Sequence, residues 1–238
     1  MFDSSITHLL FITTIAGLAM PAGALLASCK GIQPRWLEQE LRHGIAALGA
    51  GALIAAVGLV LVPNGALHVP VLAAGVCFVS GALAFMALDV YLAKQKTAGS
   101  QLAAMLSDFV PESMALGATA ALGGATMLLG VLIAIQNLPE GFNAYREMLP
   151  PNKKRSTKLI ALFTAMALLG PLCGLLGFFY LAHYPAISGA IMLFAAGGIL
   201  YAVFQDIAPQ IRMNKHWLPP MGGILGFLIG VVGHMLQT

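Results

Sequence analysis

Eight runs of predominantly apolar residues, at 6–28, 41–62, 69–92, 102–122, 125–149, 158–182, 186–211 and 218–236, take up almost all of this chain. A helix needs about 20 such residues to cross the hydrocarbon core of a bilayer. The connections between the runs are short and carry breakers, as in Val62-Pro63-Asn64-Gly65 and Pro150-Pro151-Asn152. Gly123-Gly124 leaves room only for a tight hairpin between the fourth and fifth runs. Of the 238 residues, 59% are hydrophobic and 9% charged, whereas a soluble domain carries roughly a quarter charged residues. A chain this apolar has too little polar surface to face water on all sides. The expected fold is an all-α integral membrane protein, a single transmembrane domain over residues 1–238 with eight spanning helices.

The placement of charge tests this count. Lys30, Arg35 and Arg42 follow the first run, Lys94 and Lys96 the third, Arg146, Lys153, Lys154, Arg155 and Lys158 the fifth, and Arg212 and Lys215 the seventh. With eight spans, all of them fall on one side of the membrane. The positive-inside rule makes that side the cytoplasm and puts both termini outside it, in the cell inner (plasma) membrane. The basic residues are then orientation signals at a wet surface, and no nucleic-acid partner is expected. Cys29, Cys77 and Cys173 form no CxxC pair and read as inert buried thiols. Leu26-Ala27-Ser28-Cys29 resembles a lipoprotein cleavage box, but no Lys or Arg precedes it, so the first run reads as a retained helix.

Of the nine acidic residues, Asp89 and Glu147 sit at the cytoplasmic ends of the third and fifth runs and read as interfacial, while Asp108, Glu112, Glu140 and Asp206 fall deeper inside the runs. An ionisable group at bilayer depth costs about 2.5–3.5 kcal/mol on insertion scales and marks a functional site by default. At 1.5 Å per residue, Glu112 and Glu140 lie roughly 15 and 13 Å from the cytoplasmic ends of two adjacent antiparallel helices. Asp108 shares a helix face with Glu112, as Gln136 and Asn137 do with Glu140. Asp206 sits nearer the cytoplasmic end of its helix, at a depth like that of Asp108. Each glutamate follows a proline, Pro111 or Pro139. A proline inside a helix removes one backbone bond and frees a carbonyl a turn earlier, near Ser107 and Ile135.

Four crowded carboxylates require protonation or cations to offset their repulsion. Two divalent ions would balance the formal charge, and Asp, Glu, Gln and Asn oxygens suit such ions. A network of protonated carboxylates is the alternative. His8, His43, His68, His183, His216 and His234 stand apart from this cluster and read as interfacial; His8, His183 and His234 lie on the outer side, where an entering metal would pass. Met105, Met114 and Met127 read as packing residues.

The motif Gln136-Asn137-Leu138-Pro139-Glu140-Gly141 resembles the signature of the ZIP (Zrt-, Irt-like) metal transporters. Asp108-Phe109-Val110-Pro111-Glu112-Ser113 resembles its companion on the preceding helix, and Leu193 to Tyr201 with Asp206 resembles the family's seventh helix. Gly49 to Leu53 and Gly81 to Phe85 resemble its glycine-rich second and third helices. The resemblance covers nearly the whole chain and suggests a compact bacterial-type member. It implies a three-two-three arrangement of helices with an inverted repeat, a midplane site on the central pair, and a homodimer. Carried over residue by residue, it implies a metal site of Glu112, Gln136, Asn137 and Glu140, with Asp108 where a histidine is usual. A second position would use Glu112, Asn137, Glu140 and Asp206. Phe109 stands where the family often has an asparagine ligand, and Asn137 where an acid is common. No imidazole remains, whereas zinc favours nitrogen and sulfur ligands.

The expected function is transport of divalent metal toward the cytoplasm: zinc by family, with iron or manganese open, and one or two ions bound as cargo rather than as cofactor. The resemblance suggests alternating access by rocking of the central helices. The alternative is a proton-coupled carrier of an organic solute, since intramembrane acids also build proton relays. No HExxH, GxSxG or aspartic dyad motif occurs, so an enzyme is not expected. A purely structural subunit would not need four acids in its core.

Overall fold

The computed structural model describes residues 2–28, 35–95, 98–149, 156–211 and 218–236. These residues are almost entirely helical, with no strand among them. In chain order the helices are α1 (Phe2–Ser28), α2 (Arg35–Ala56, continued by a π-helical turn Val57–Leu61 and by Val62–Ala66) and α3 (Val71–Gln95). They continue with α4 (Ala98–Ala121), α5 (Thr126–Met148) and α6 (Thr157–Ala167 and Leu169–Phe179). The last are α7 (Pro185–Ala202, with a π-helical turn Val203–Ile207 and Ala208–Ile211) and α8 (Leu218–Met235). Five segments are long and apolar enough to cross a membrane: Ser5–Ser28, Arg42–Ala66, Val71–Lys94, Thr157–Phe179 and Pro185–Gln205. Pro219–Met235 of α8 is apolar but shorter. Helices α4 and α5 are not among the five, and they are the two that carry Asp108, Glu112, Gln136, Asn137 and Glu140.

Two expected boundaries are corrected. Val62-Pro63-Asn64-Gly65 is helical rather than a connection. The preceding π-turn shifts the hydrogen-bond register, so that the Val62 N–H meets the Val57 carbonyl, and Pro63 falls in the first turn of the piece that follows, where a missing N–H is tolerated. The sixth helix ends at Phe179 rather than at 182, and Leu181–His183 forms a single 3-10 turn. Gly123, at φ 72°, makes the tight hairpin between α4 and α5, a backbone conformation glycine adopts without steric cost. Cys29, most of the basic connections (including Lys30, Lys96, Lys153, Lys154, Arg155, Arg212 and Lys215) and His216 lie outside the described residues.

One packing device recurs in four helix pairs. In α1 and α5, a Cβ on Gly141 would collide with the Met20 carbonyl, and one on Gly23 with the Leu138 carbonyl. In α2 and α8, Gly51 meets the Gly223 carbonyl and Gly226 that of Leu48. In α3 and α7, Gly81 meets Phe194 and Gly197 meets Phe78; in α4 and α6, Gly117 meets Gly174 and Gly177 meets Met114. Each time the carbonyl lies three residues before a glycine on its own helix, and the contact is reciprocal. Contacts further along the same pairs give their direction: Ile12, Ala16 and Met20 meet Gly130, Asn137 and Gly141, Gly44, Leu48 and Ala55 meet Gly222, Gly226 and Gly230, Phe78 and Asp89 meet Gly197 and Tyr201, and Phe109 and Ser113 meet Gly170 and Gly174, so the paired helices run parallel. Only glycine lets two backbones approach so closely, and close approach lets Cα–H groups meet carbonyls where apolar surface alone drives no association. The α6 break fits the same logic. Pro171 cannot bond the Ala167 carbonyl a turn earlier, and that carbonyl faces Gly17 of α1 instead.

The core lies among α1, α2, α4, α5, α6 and α7. Helix α3 is peripheral, with only 6% of its most apolar stretch buried. The end of α5 is tied to the start of α6: Tyr145 is fully buried, and its hydroxyl accepts a hydrogen bond from the Ser156 N–H at 2.8 Å. Ser156 caps α6 by accepting from the Leu159 N–H. Replacing Tyr145 with Phe strands that partly buried N–H and should lower stability by about 1 kcal/mol. Thermal unfolding in detergent would read this as a lowered midpoint; an unchanged midpoint would contradict the tie.

Candidate functional site

Pro111 and Pro139 both lie inside their helices, α4 and α5, as the Pro-Glu pattern requires. Glu112 is 1% exposed and Gln136 1% exposed, and the Gln136 Nε2 donates a hydrogen bond to the Glu112 Oε2. This bond joins the two motifs across the α4–α5 contact. Asp108, one turn from Glu112, is half-buried, as is Glu140. The three carboxyl groups are close enough to interact electrostatically.

Asn137 is placed differently from Gln136. Its side chain turns toward α1, where Nδ2 donates to the Ala16 carbonyl at 2.8 Å. A carbonyl only accepts, so the nitrogen must face it and Oδ1 must point away. Phe109 is buried with its ring over Gly170 of α6, where a Cβ would come within 2.8 Å of the ring. Phe109 therefore packs against α6. Asp206 lies in the π-turn of α7; its side chain is outside what the structure describes. Asp89, expected at an interface, accepts a hydrogen bond from the Tyr201 hydroxyl at 3.1 Å and links α3 to α7.

Around Glu112 and Glu140 the polar atoms left over are acceptor oxygens, whereas the buried Ser188 hydroxyl on α7, also without a partner among the described residues, lies apart. Glu112 Oε1, Gln136 Oε1, Asn137 Oδ1, Glu140 Oε2 and Asn143 Oδ1 are buried, and no donor among the described residues meets them. Buried polar groups are normally paired, and an orphaned acceptor carries its full desolvation cost. Acceptor oxygens without protein donors suit a guest that brings protons to donate or a positive charge, water or a cation. Among the described residues, no three His, Cys, Asp or Glu side chains lie close enough to hold an ion by themselves. A metal here would therefore also need the amide oxygens. Asn143 was missed in the sequence, although its position three residues after Glu140 puts it on the same face.

Burial is graded along the site. Leu116, Leu129 and Ile133, on the side toward the α4–α5 hairpin, are 0%, 0% and 1% exposed. On the other side Asp108 and Asn143 are half-buried and Glu147 is exposed. Separately, His8 and His234 line one cavity of about 580 Å³ with Ser5, Gly124 and Thr126 beside the hairpin. His183 lies elsewhere, its Nδ1 2.7 Å from the Phe179 carbonyl. Cys77 and Cys173 are free thiols. No protein-family model matches the chain, and no curated protein matches it.

Proposed function

We propose that the protein is a ZIP-like transporter that carries divalent metal ions across the plasma membrane toward the cytoplasm. The observation that carries this reading is the set of buried, donor-free oxygens on α4 and α5, two from glutamates and three from amides. Oxygen donors of this kind suit hard divalent ions. Nothing in the set supplies nitrogen or sulfur, which tilts the choice from zinc, the family's usual cargo, toward manganese or iron. Glu112, Glu140, Gln136, Asn137 and Asp108 would hold the ion, with Asp206 approaching from α7.

The packing supports a three-two-three arrangement with an inverted repeat, in which α1, α2 and α3 correspond to α6, α7 and α8. The α1–α5 contact has its counterpart in α6–α4, and α2–α8 has its counterpart in α7–α3. A π-turn followed by one last short helical piece closes both α2 and α7. The reciprocal glycine contacts hold α5 to α1 and α4 to α6. The moving body in alternating access is then α1, α4, α5 and α6 together, rather than the central pair alone. The apolar seal at Leu116, Leu129 and Ile133 would close the outer side, and the graded exposure from Glu140 to Glu147 would open to the cytoplasm. The termini would lie outside, and the homodimer is carried over from the resemblance.

Reconstitution into liposomes tests the reading. Manganese or zinc influx along a gradient, absent from protein-free vesicles, is expected. Proton flux with no dependence on metal would favour the proton-coupled carrier of an organic solute instead.

A further inference from the structure

Asn143 belongs to none of the sequence motifs that pointed to the site. Gln136, Glu140 and Asn143 fall at i, i+4 and i+7, on one face of α5. A neighbouring face about 100° round the helix, with Asn137 and Gly141, packs against α1. Asn143 lies about 4.5 Å further along the helix axis than Glu140. Its Oδ1 is buried, and no donor among the described residues meets it. Arg146, one turn on, has its guanidinium 4.8 Å from the centre of the Phe142 ring. A packing asparagine would be expected to satisfy its oxygen by a local bond to backbone or side chain; this one does not. One helical turn beyond it on the same face stands Glu147, which is exposed.

We infer that Asn143 is an additional metal ligand, which takes the ion from Glu140 on its way out of the site toward Glu147. This rests on the metal-transport reading given above. A neutral amide oxygen suits such a step. It replaces a water of the ion's shell without adding a charge that would trap the ion beside two glutamates. The stripe Gln136, Glu140, Asn143, Glu147 then forms a graded path, from fully buried to exposed.

The test is a gain of function that a packing role would not produce. Cadmium prefers thiolate over amide oxygen. In purified full-length protein, Asn143→Cys should bind Cd2+ at least tenfold more tightly than wild type, while Mn2+ affinity falls severalfold. Ala134→Cys, on another face of α5, should leave both affinities unchanged. Asn143→Asp, nearly the same shape, keeps an oxygen in place and should retain Mn2+ binding while slowing Mn2+ release into liposomes severalfold. If Asn143→Cys leaves Cd2+ affinity as in wild type, while Glu112→Ala abolishes Mn2+ binding, Asn143 is not a ligand and the transport reading stands. If Glu112→Ala and Glu140→Ala bind Mn2+ like wild type, the transport site itself is wrong, and this inference falls with it.

Discussion

Glu112→Ala and Glu140→Ala should each reduce metal flux into liposomes at least a hundredfold, with the protein still folded in detergent. Two effects combine. Each substitution removes a charged ligand, and charge-assisted contacts are among the strongest a site can make. Each also leaves the remaining oxygens without the negative charge that compensates an ion's lost hydration. The folded state should tolerate the change, because removing a buried carboxylate also removes its desolvation cost. Glu112→Ala further releases Gln136, whose Nε2 loses its acceptor. Glu112→Gln separates charge from shape, since it keeps the volume and should still lose most of the flux. Flux within twofold of wild type in either alanine variant, measured on protein of normal abundance and melting behaviour, would remove the glutamates from the site.

The second large effect is structural. Gly141→Leu should prevent α1 and α5 from closing, because even a Cβ at this position meets the backbone carbonyl of Met20. A backbone carbonyl in a helix cannot swing aside as a flexible side chain can. Overpacking of a tight contact costs typically 1–3 kcal/mol, occasionally more, and here it acts on the pair that carries Glu140. The variant should melt well below wild type and lose metal binding together with stability. Gly44→Leu is the control, since a Cβ there meets nothing within 4 Å. Equal melting of Gly141→Leu and wild type would show that the α1–α5 contact is looser than described.

Much of the helical frame was legible because apolar length alone decides it. The stretches at 69–92 and 186–211 needed no knowledge of neighbours to become α3 and α7. Val62 to Gly65 was misread because a π-turn, which depends on packing against other helices, carried the helix through Pro63. The site was legible where residue chemistry is unusual for its depth, as for Glu112 and Glu140 beside their prolines. It was not legible where direction matters. Only the folded structure shows that Asn137 turns its nitrogen to α1, that Phe109 lies over Gly170, and that Asn143 leaves an oxygen buried on the face of Glu140. The reciprocal glycine–carbonyl pairs were hidden for a related reason. Each needs two positions far apart in sequence, and a glycine in an apolar helix announces no partner.

Metal transport as proposed requires an ion to sit among the oxygens between α4 and α5. Anomalous diffraction from crystals grown with Mn2+ tests it most directly. A peak is expected within coordination distance of both Glu112 and Glu140, and it should disappear in Glu112→Ala. A peak confined to the cavity of His8 and His234, with none between α4 and α5, would contradict it.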